Sequence, residues 1–180
     1  MSAAGSHLTL AWSRGRARPA PSSSRFVRLS HLRKLRGCEQ VAAVCYRVRG
    51  ESIEFLLVQT SGGRWTFPKG GAARGLTHAQ AAALEAFEEA GVHGRIEEAS
   101  FAHYSRRESG KDRSGMEVKV SAHLCEVRRL DPPQESNRNR TWFPADKAKL
   151  RLREDRSPAS GATLARLVDR AVARIQFLIK

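Results

Sequence analysis

The 180-residue chain has only three cysteines, Cys38, Cys45 and Cys125. They stand far apart with no C-x-x-C spacing, which argues against a zinc site and a disulfide framework and fits reduced thiols, mostly in a core. Equally missing is any apolar run near the roughly 20 residues a membrane-spanning helix needs, so no membrane partner is expected. Acidic residues are absent before Glu39, while eight Arg and Lys residues lie between Arg14 and Arg36. Of the formal net charge of +14, +8 therefore sits in an N-terminal arm. Beyond Trp12 and Phe26 the arm has no aromatic residues to interleave with its arginines. A base-stacking platform is thus not favoured, and nucleic acid is left only as an electrostatic partner of the arm.

The arm, residues 1–36, is built from Arg, Ser, Pro and Ala, with the run Pro19-Ala20-Pro21-Ser22-Ser23-Ser24. This composition predicts disorder to about Ser24, with a short helix around residues 30–35. It fits a plain extension of a cytoplasmic protein and, second to that, an Arg-rich, acid-free transit peptide for a mitochondrion. Residues 37–180 read as one domain, 41% of the whole chain being hydrophobic, with room for a single core.

What is present centres on residues 64–92. Thr77 with Gln80 three residues later forms a capping-box pair, and Gly91 closes an alanine-rich run, so a helix is predicted between them. At about 100° per residue, Ala79, Ala82, Ala83, Ala86 and Ala90 fall on one arc, with Glu85, Glu88 and Glu89 expected on the opposite, solvated arc. Three like charges at this spacing repel one another, and a hard divalent cation such as Mg²⁺ or Mn²⁺ would relieve them. Just upstream, Lys69-Gly70-Gly71 offers a cation beside glycines whose bare backbone lets phosphate or metal come close.

Around this segment, residues 40–49 and 53–59 read as a β-hairpin turned at Arg49-Gly50-Glu51, and residues 95–104 and 116–127 as two further strands. The loop between the latter pair is basic on balance, with Arg106, Arg107, Lys111 and Arg113 against Glu108 and Asp112. Such a loop is either simply solvated or grips a polyanion through bidentate guanidinium contacts. Trp65 and Phe67 are expected to pack in the core. An extended piece over 138–143 leads into a short helix with Pro144 at its first position. Residues 158–180 place Leu164, Leu167, Val168, Ala171, Ile175 and Leu178 at helical spacing, a core-facing helix.

The central stretch resembles the Nudix box. Gly70 matches its opening glycine, Glu85 the glutamate after the arginine, Glu88 and Glu89 the glutamate pair, and Gly91 with Val92 the close. Leu76 stands where the first glutamate is expected and Leu84 where the arginine is, two departures that bear on metal affinity and rate. The resemblance covers roughly residues 40–150 and implies an α+β fold of Nudix type, an α/β/α sandwich with a mixed sheet between helices. Arg64-Trp65 and the Arg-x-Arg-x-Trp-Phe run at 138–143 look like the branch that hydrolyses diphosphoinositol polyphosphates and diadenosine polyphosphates. By that resemblance Arg64, Lys69 and Arg140 are expected to contact phosphate; Gly71 of the bare glycine pair and Arg106 of the basic loop complete the expected substrate-binding set.

The implied chemistry is metal-dependent attack of water on a phosphoanhydride phosphorus. Glu85, Glu88 and Glu89 would hold Mg²⁺ or Mn²⁺, the Gly70 carbonyl adding a ligand by family resemblance, and one of these glutamates or one outside the box would be the general base. Two other readings stay open: a weakened Nudix scaffold that binds a ligand without turnover, and an RNA 5′-end pyrophosphohydrolase that uses the charge of the arm. The oligomeric state has no signature in the sequence.

Overall fold

The computed structural model describes residues 39–107, 117–135 and 138–179. The arm with its expected helix, Cys38, and Lys111 and Arg113 of the basic loop lie outside the described residues. Strands β1 (Glu39–Arg49) and β2 (Ser52–Gln59) form the expected hairpin, Arg49 facing Ser52 across a two-residue turn. Gly50 takes a φ of 58° there, the left-handed geometry that a tight hairpin turn needs. There follow β3 (Trp65–Thr66), β4 (Lys69–Gly71), helix α1 (His78–Ala90) and β5 (Val92–Ile96). The chain continues through β6 (Ala102–Arg107), β7 (Glu117–Leu130), β8 (Arg140–Pro144), α2 (Ala145–Arg151) and α3 (Pro158–Leu178).

The strands form one mixed sheet in which β1 and β7 run parallel at the centre and every other pairing is antiparallel. Period-two alternation sends Val41, Ala43 and Cys45 to one face and Val44 and Tyr46 to the other. Helix α1 covers the first face with Ala82, Ala86 and Ala90, and α2 with α3 cover the second with Ala148, Leu164, Val168 and Ile175. The fold is thus α+β, an α/β/α sandwich. Phe67 is buried in the second layer and Trp65 packs edge-on against Phe143 at 5.0 Å, the core roles expected of both. No helix among the described residues is long and apolar enough to cross a membrane.

Three local expectations change. The single strand over 95–104 is two, because the 14-residue β7 is bordered by β6 along its first part and by β5 along its last. Between them the chain bends at residues 97–101, where Glu97 and Phe101 still donate backbone N–H bonds to Leu124 and Ala122. Pro144 ends a strand and precedes the helix instead of opening it, and Leu178 is exposed as the last residue of α3.

Cys45 lies directly opposite Cys125 in the parallel ladder, both buried and free. Two residues before Cys125, His123 is buried with its Nδ1 3.0 Å from the Glu97 carbonyl and its Nε2 without a hydrogen-bond partner. Burial lowers its pKa, against the pull of that carbonyl. Charging it would place a proton on Nε2 with nothing to accept it. The folded-state pKa is the lower one, so the neutral ring contributes stability in full above the unfolded value of about 6.5, and that contribution is lost as pH falls through the folded value. Urea unfolding from pH 7.5 to 5 should show this loss, and His123→Gln should flatten it; an unchanged slope would remove His123 as its source.

Candidate active site

Helix α1 is set by its ends. Thr77 Oγ1 accepts from the Gln80 amide at 3.2 Å while Gln80 Oε1 accepts from the Thr77 amide at 3.0 Å, the reciprocal box read from the sequence. At the other end Gly91 adopts φ 61° and its N–H reaches the Ala86 and Phe87 carbonyls. A Cβ at Gly91 would lie 1.9 Å from the Asp131 carbonyl oxygen. Gly91→Ala therefore meets both a positive φ and a backbone clash, and should destabilise the protein by about 2 kcal/mol or more in urea titration. A smaller loss would mean that the segment at Asp131 yields.

The glutamates do not lie opposite the alanines. Glu85 and Glu89 are 3% and 2% exposed, on the sheet side of the helix, and only Glu88 is half-buried, with Ala83 also turned partly outward. Glu89 sits about 20° from Ala82 around the helix and Glu85 about 60° from it, so both flank the apolar stripe. Alanine methyls hold the helix close to the sheet and carry its flanks under cover.

Buried carboxylates need partners, and β4 brings them. It pairs with β1 in register Gly70 to Val41, which places Gly70 against Glu85: a Cβ built there would fall 1.9 Å from Glu85 Oε1. Only glycine fits. The Lys69 amide donates to Glu89 Oε2 at 3.2 Å, and Arg138 Nη2 donates to Glu89 Oε1 at 2.8 Å. Burial pushes the Glu89 carboxyl up, while Arg138 and Lys69 pull it back. Burial likewise brings the Lys69 ammonium down to about 8, with Arg106 adding to the fall and Glu89 opposing it. Lys69 thus stands within electrostatic reach of Arg106, Arg138 and Arg156, and Lys69 and Arg138 in turn act on Glu89.

Over residues 39–166 the chain matches the signature of the NUDIX domain. It belongs to the Nudix family. No curated protein matches it significantly by sequence. Among solved structures it is similar to a C. elegans Ap4A hydrolase in a binary complex, at 26% identity and TM-score 0.59, over 77% of this chain and 97% of that one. A second structure of C. elegans Ap4A hydrolase gives 28% identity and TM-score 0.57, over 76% and 97%. The NUDIX domain of Shewanella oneidensis NrtR, complexed with ADP ribose, shares the fold at 17% identity and TM-score 0.57, over 76% and 87%. The protein is a Nudix pyrophosphohydrolase.

Within this Nudix hydrolase the other expected site residues divide. Gly70 and Lys69 join the glutamates, Gly71 is buried opposite Gln40 of β1, and the half-buried Arg106 reaches the Lys69 neighbourhood. Arg64 is exposed on the approach to β3, beside Arg156, whose Nη2 donates to the Trp65 carbonyl at 2.6 Å. Arg140 goes elsewhere. Its Nη1 donates to the carbonyls of Ala90 and Asp131, so it anchors the end of α1. Arg138, two residues earlier, is the one that meets a box glutamate, and nothing in the spacing of the Arg-x-Arg run distinguishes the two. An open cavity of about 600 Å³ is lined by Glu39, His103, Tyr104, Ser105, Glu117 and Lys119 and by none of the three glutamates; the charged groups locate the chemistry better than that hollow does.

Whether the residues suit a divalent ion follows from the donors. Among the described residues no group of three Asp, Glu, His or Cys side chains converges closely enough to cage an ion. Magnesium-type sites use one or two carboxylates and complete the shell with water and substrate phosphate, and the hard carboxylate oxygens packed against the Gly70 backbone fit that kind of site.

Proposed function

We propose that this Nudix hydrolase cleaves a phosphoanhydride bond in a small polyphosphate, a diadenosine polyphosphate or a diphosphoinositol polyphosphate, with Mg²⁺ or Mn²⁺. The observation that carries this reading is the juxtaposition on β4 and α1: Gly70 against the Glu85 carboxylate, the Lys69 amide and Arg138 on Glu89, and Arg106 within electrostatic reach of Lys69. The similarity to C. elegans Ap4A hydrolase supports the substrate class. Glu85, Glu88, Glu89 and the Gly70 carbonyl would hold the ion, which when bound neutralises phosphate oxygens and acidifies a water.

The chain's own groups do the rest. Lys69 and Arg106 bind the polyanion and offset its charge, Arg64 extending the contact toward solvent, and the bare Gly70 backbone lets the Glu85 carboxylate come close to β4. One glutamate takes the proton of the attacking water as its oxygen bonds to phosphorus and the bridging oxygen leaves with the departing phosphate. The arm, residues 1–36, and the domain, residues 37–180, are separate units in this reading, and the arm takes no part in the chemistry.

A substrate panel on the purified full-length protein tests this, with diadenosine polyphosphates, diphosphoinositols, nucleotide sugars, NADH and triphosphorylated RNA, each in Mg²⁺ and in Mn²⁺. Turnover of either of the first two, retained when residues 1–36 are removed, is the expected result. Turnover confined to RNA and lost with the arm would overturn it.

A further inference from the structure

Helix α1 carries three glutamates and no Lys or Arg, since the residue before Glu85 is Leu84. A buried carboxylate on such a helix must find its ion-pair and hydrogen-bond partners on other elements. For Glu89 the ion-pair partner at hydrogen-bond distance comes from the segment between β7 and β8. Arg138 and Glu89 are 19% and 3% exposed at the side chain, and their 2.8 Å contact is made by Nη2. The same guanidinium is held from behind, its Nε donating to Glu135 Oε2 at 2.9 Å, and the Glu135 amide donates to the Glu88 carbonyl at 3.0 Å. Arg140, the first residue of β8, ties down the Ala90 carbonyl. Glu135, Arg138 and Arg140 thus grip Glu88, Glu89 and Ala90 one after another.

We infer that Arg138 is a positioning residue: from outside the box it fixes the Glu89 carboxylate in place so that Glu89 can serve at the metal and phosphate site. This rests on the site assignment proposed above. The contact leaves the second oxygen of Glu89 to the Lys69 amide, and each carboxylate oxygen keeps a lone pair for a further partner. Arg138 therefore orients Glu89 without closing it. A lysine at 138 would keep the charge but has no planar fork to meet Glu89 and Glu135 at once.

The test compares wild type with Arg138→Gln and Arg138→Lys in the full chain, reading Mn²⁺ affinity by electron paramagnetic resonance beside kcat and KM. Loss of a group that orients a metal ligand costs about 10–100-fold in metal affinity or activity. Arg138→Gln should weaken Mn²⁺ binding and lower kcat within that range with little change in KM, Arg138→Lys should fall between, and added methylguanidinium should partly restore Arg138→Ala. A merely structural arginine would lower the melting temperature without rescue. Mn²⁺ binding and kcat unchanged, or raised, in Arg138→Gln would overturn the inference and mark Arg138 as a bystander or a competitor of the ion. If wild type binds Mn²⁺ but turns over none of the panel, the substrate reading fails while the affinity comparison still decides on Arg138; if it binds none, both fall.

Discussion

Glu88→Gln is expected to lower kcat at least about 100-fold, the range typical of losing a catalytic electrostatic or acid–base group. The change keeps shape and removes one negative charge from the acidic row. Glu88 is only half-buried, and its backbone carbonyl still accepts the Glu135 amide at 3.0 Å, so the grip on the helix end survives the substitution. Thermal stability should therefore stay near that of wild type, which separates lost chemistry from lost fold. Phosphate release at saturating substrate and Mg²⁺ is the measurement. Undiminished release would take Glu88 out of the site.

Gly70→Ala should be nearly as damaging for a different reason. The added methyl would stand 1.9 Å from Glu85 Oε1 and 2.1 Å from its Cδ, distances at which one group must leave. Glu85 is buried, so its carboxylate has little room to swing, and overpacking of this sort costs about 1–3 kcal/mol. Displacing a reacting or ligating group by about 1 Å can cost about 100-fold in rate. A drop in kcat of that order, with a small fall in melting temperature, is expected. Normal kcat would show that the Gly70–Glu85 contact is irrelevant to turnover.

Much of this was legible before the fold was known. Thr77 with Gln80 and the terminal Gly91 bounded α1 because capping is local chemistry, and the β1–β2 hairpin followed from alternation around Gly50. The burial of Glu85 and Glu89 was not. Alanines define a helix face weakly, since a methyl stripe is narrow and lets the flanking residues slide under the sheet edge. Strand β4 was illegible for a related reason: Lys69-Gly70-Gly71 has no strand-forming side chains and pairs only because β1 presents an open edge at residues 40–42. The fates of Arg138 and Arg140 could not be told apart either, because their spacing is alike and only the approach of β8 to the helix end sends one to a carboxylate and the other to carbonyls.

The parallel ladder of β1 and β7 also has a kinetic consequence. It joins Glu39 to Lys119 and Tyr46 to Glu126, so the centre of the sheet depends on contacts between segments remote in sequence, with α1 and its glutamates on the intervening chain. Chains dominated by such non-local pairings fold in milliseconds to seconds rather than microseconds. Refolding should accordingly be slow, and the acidic helix should gain its partners only as the two middle strands zip together.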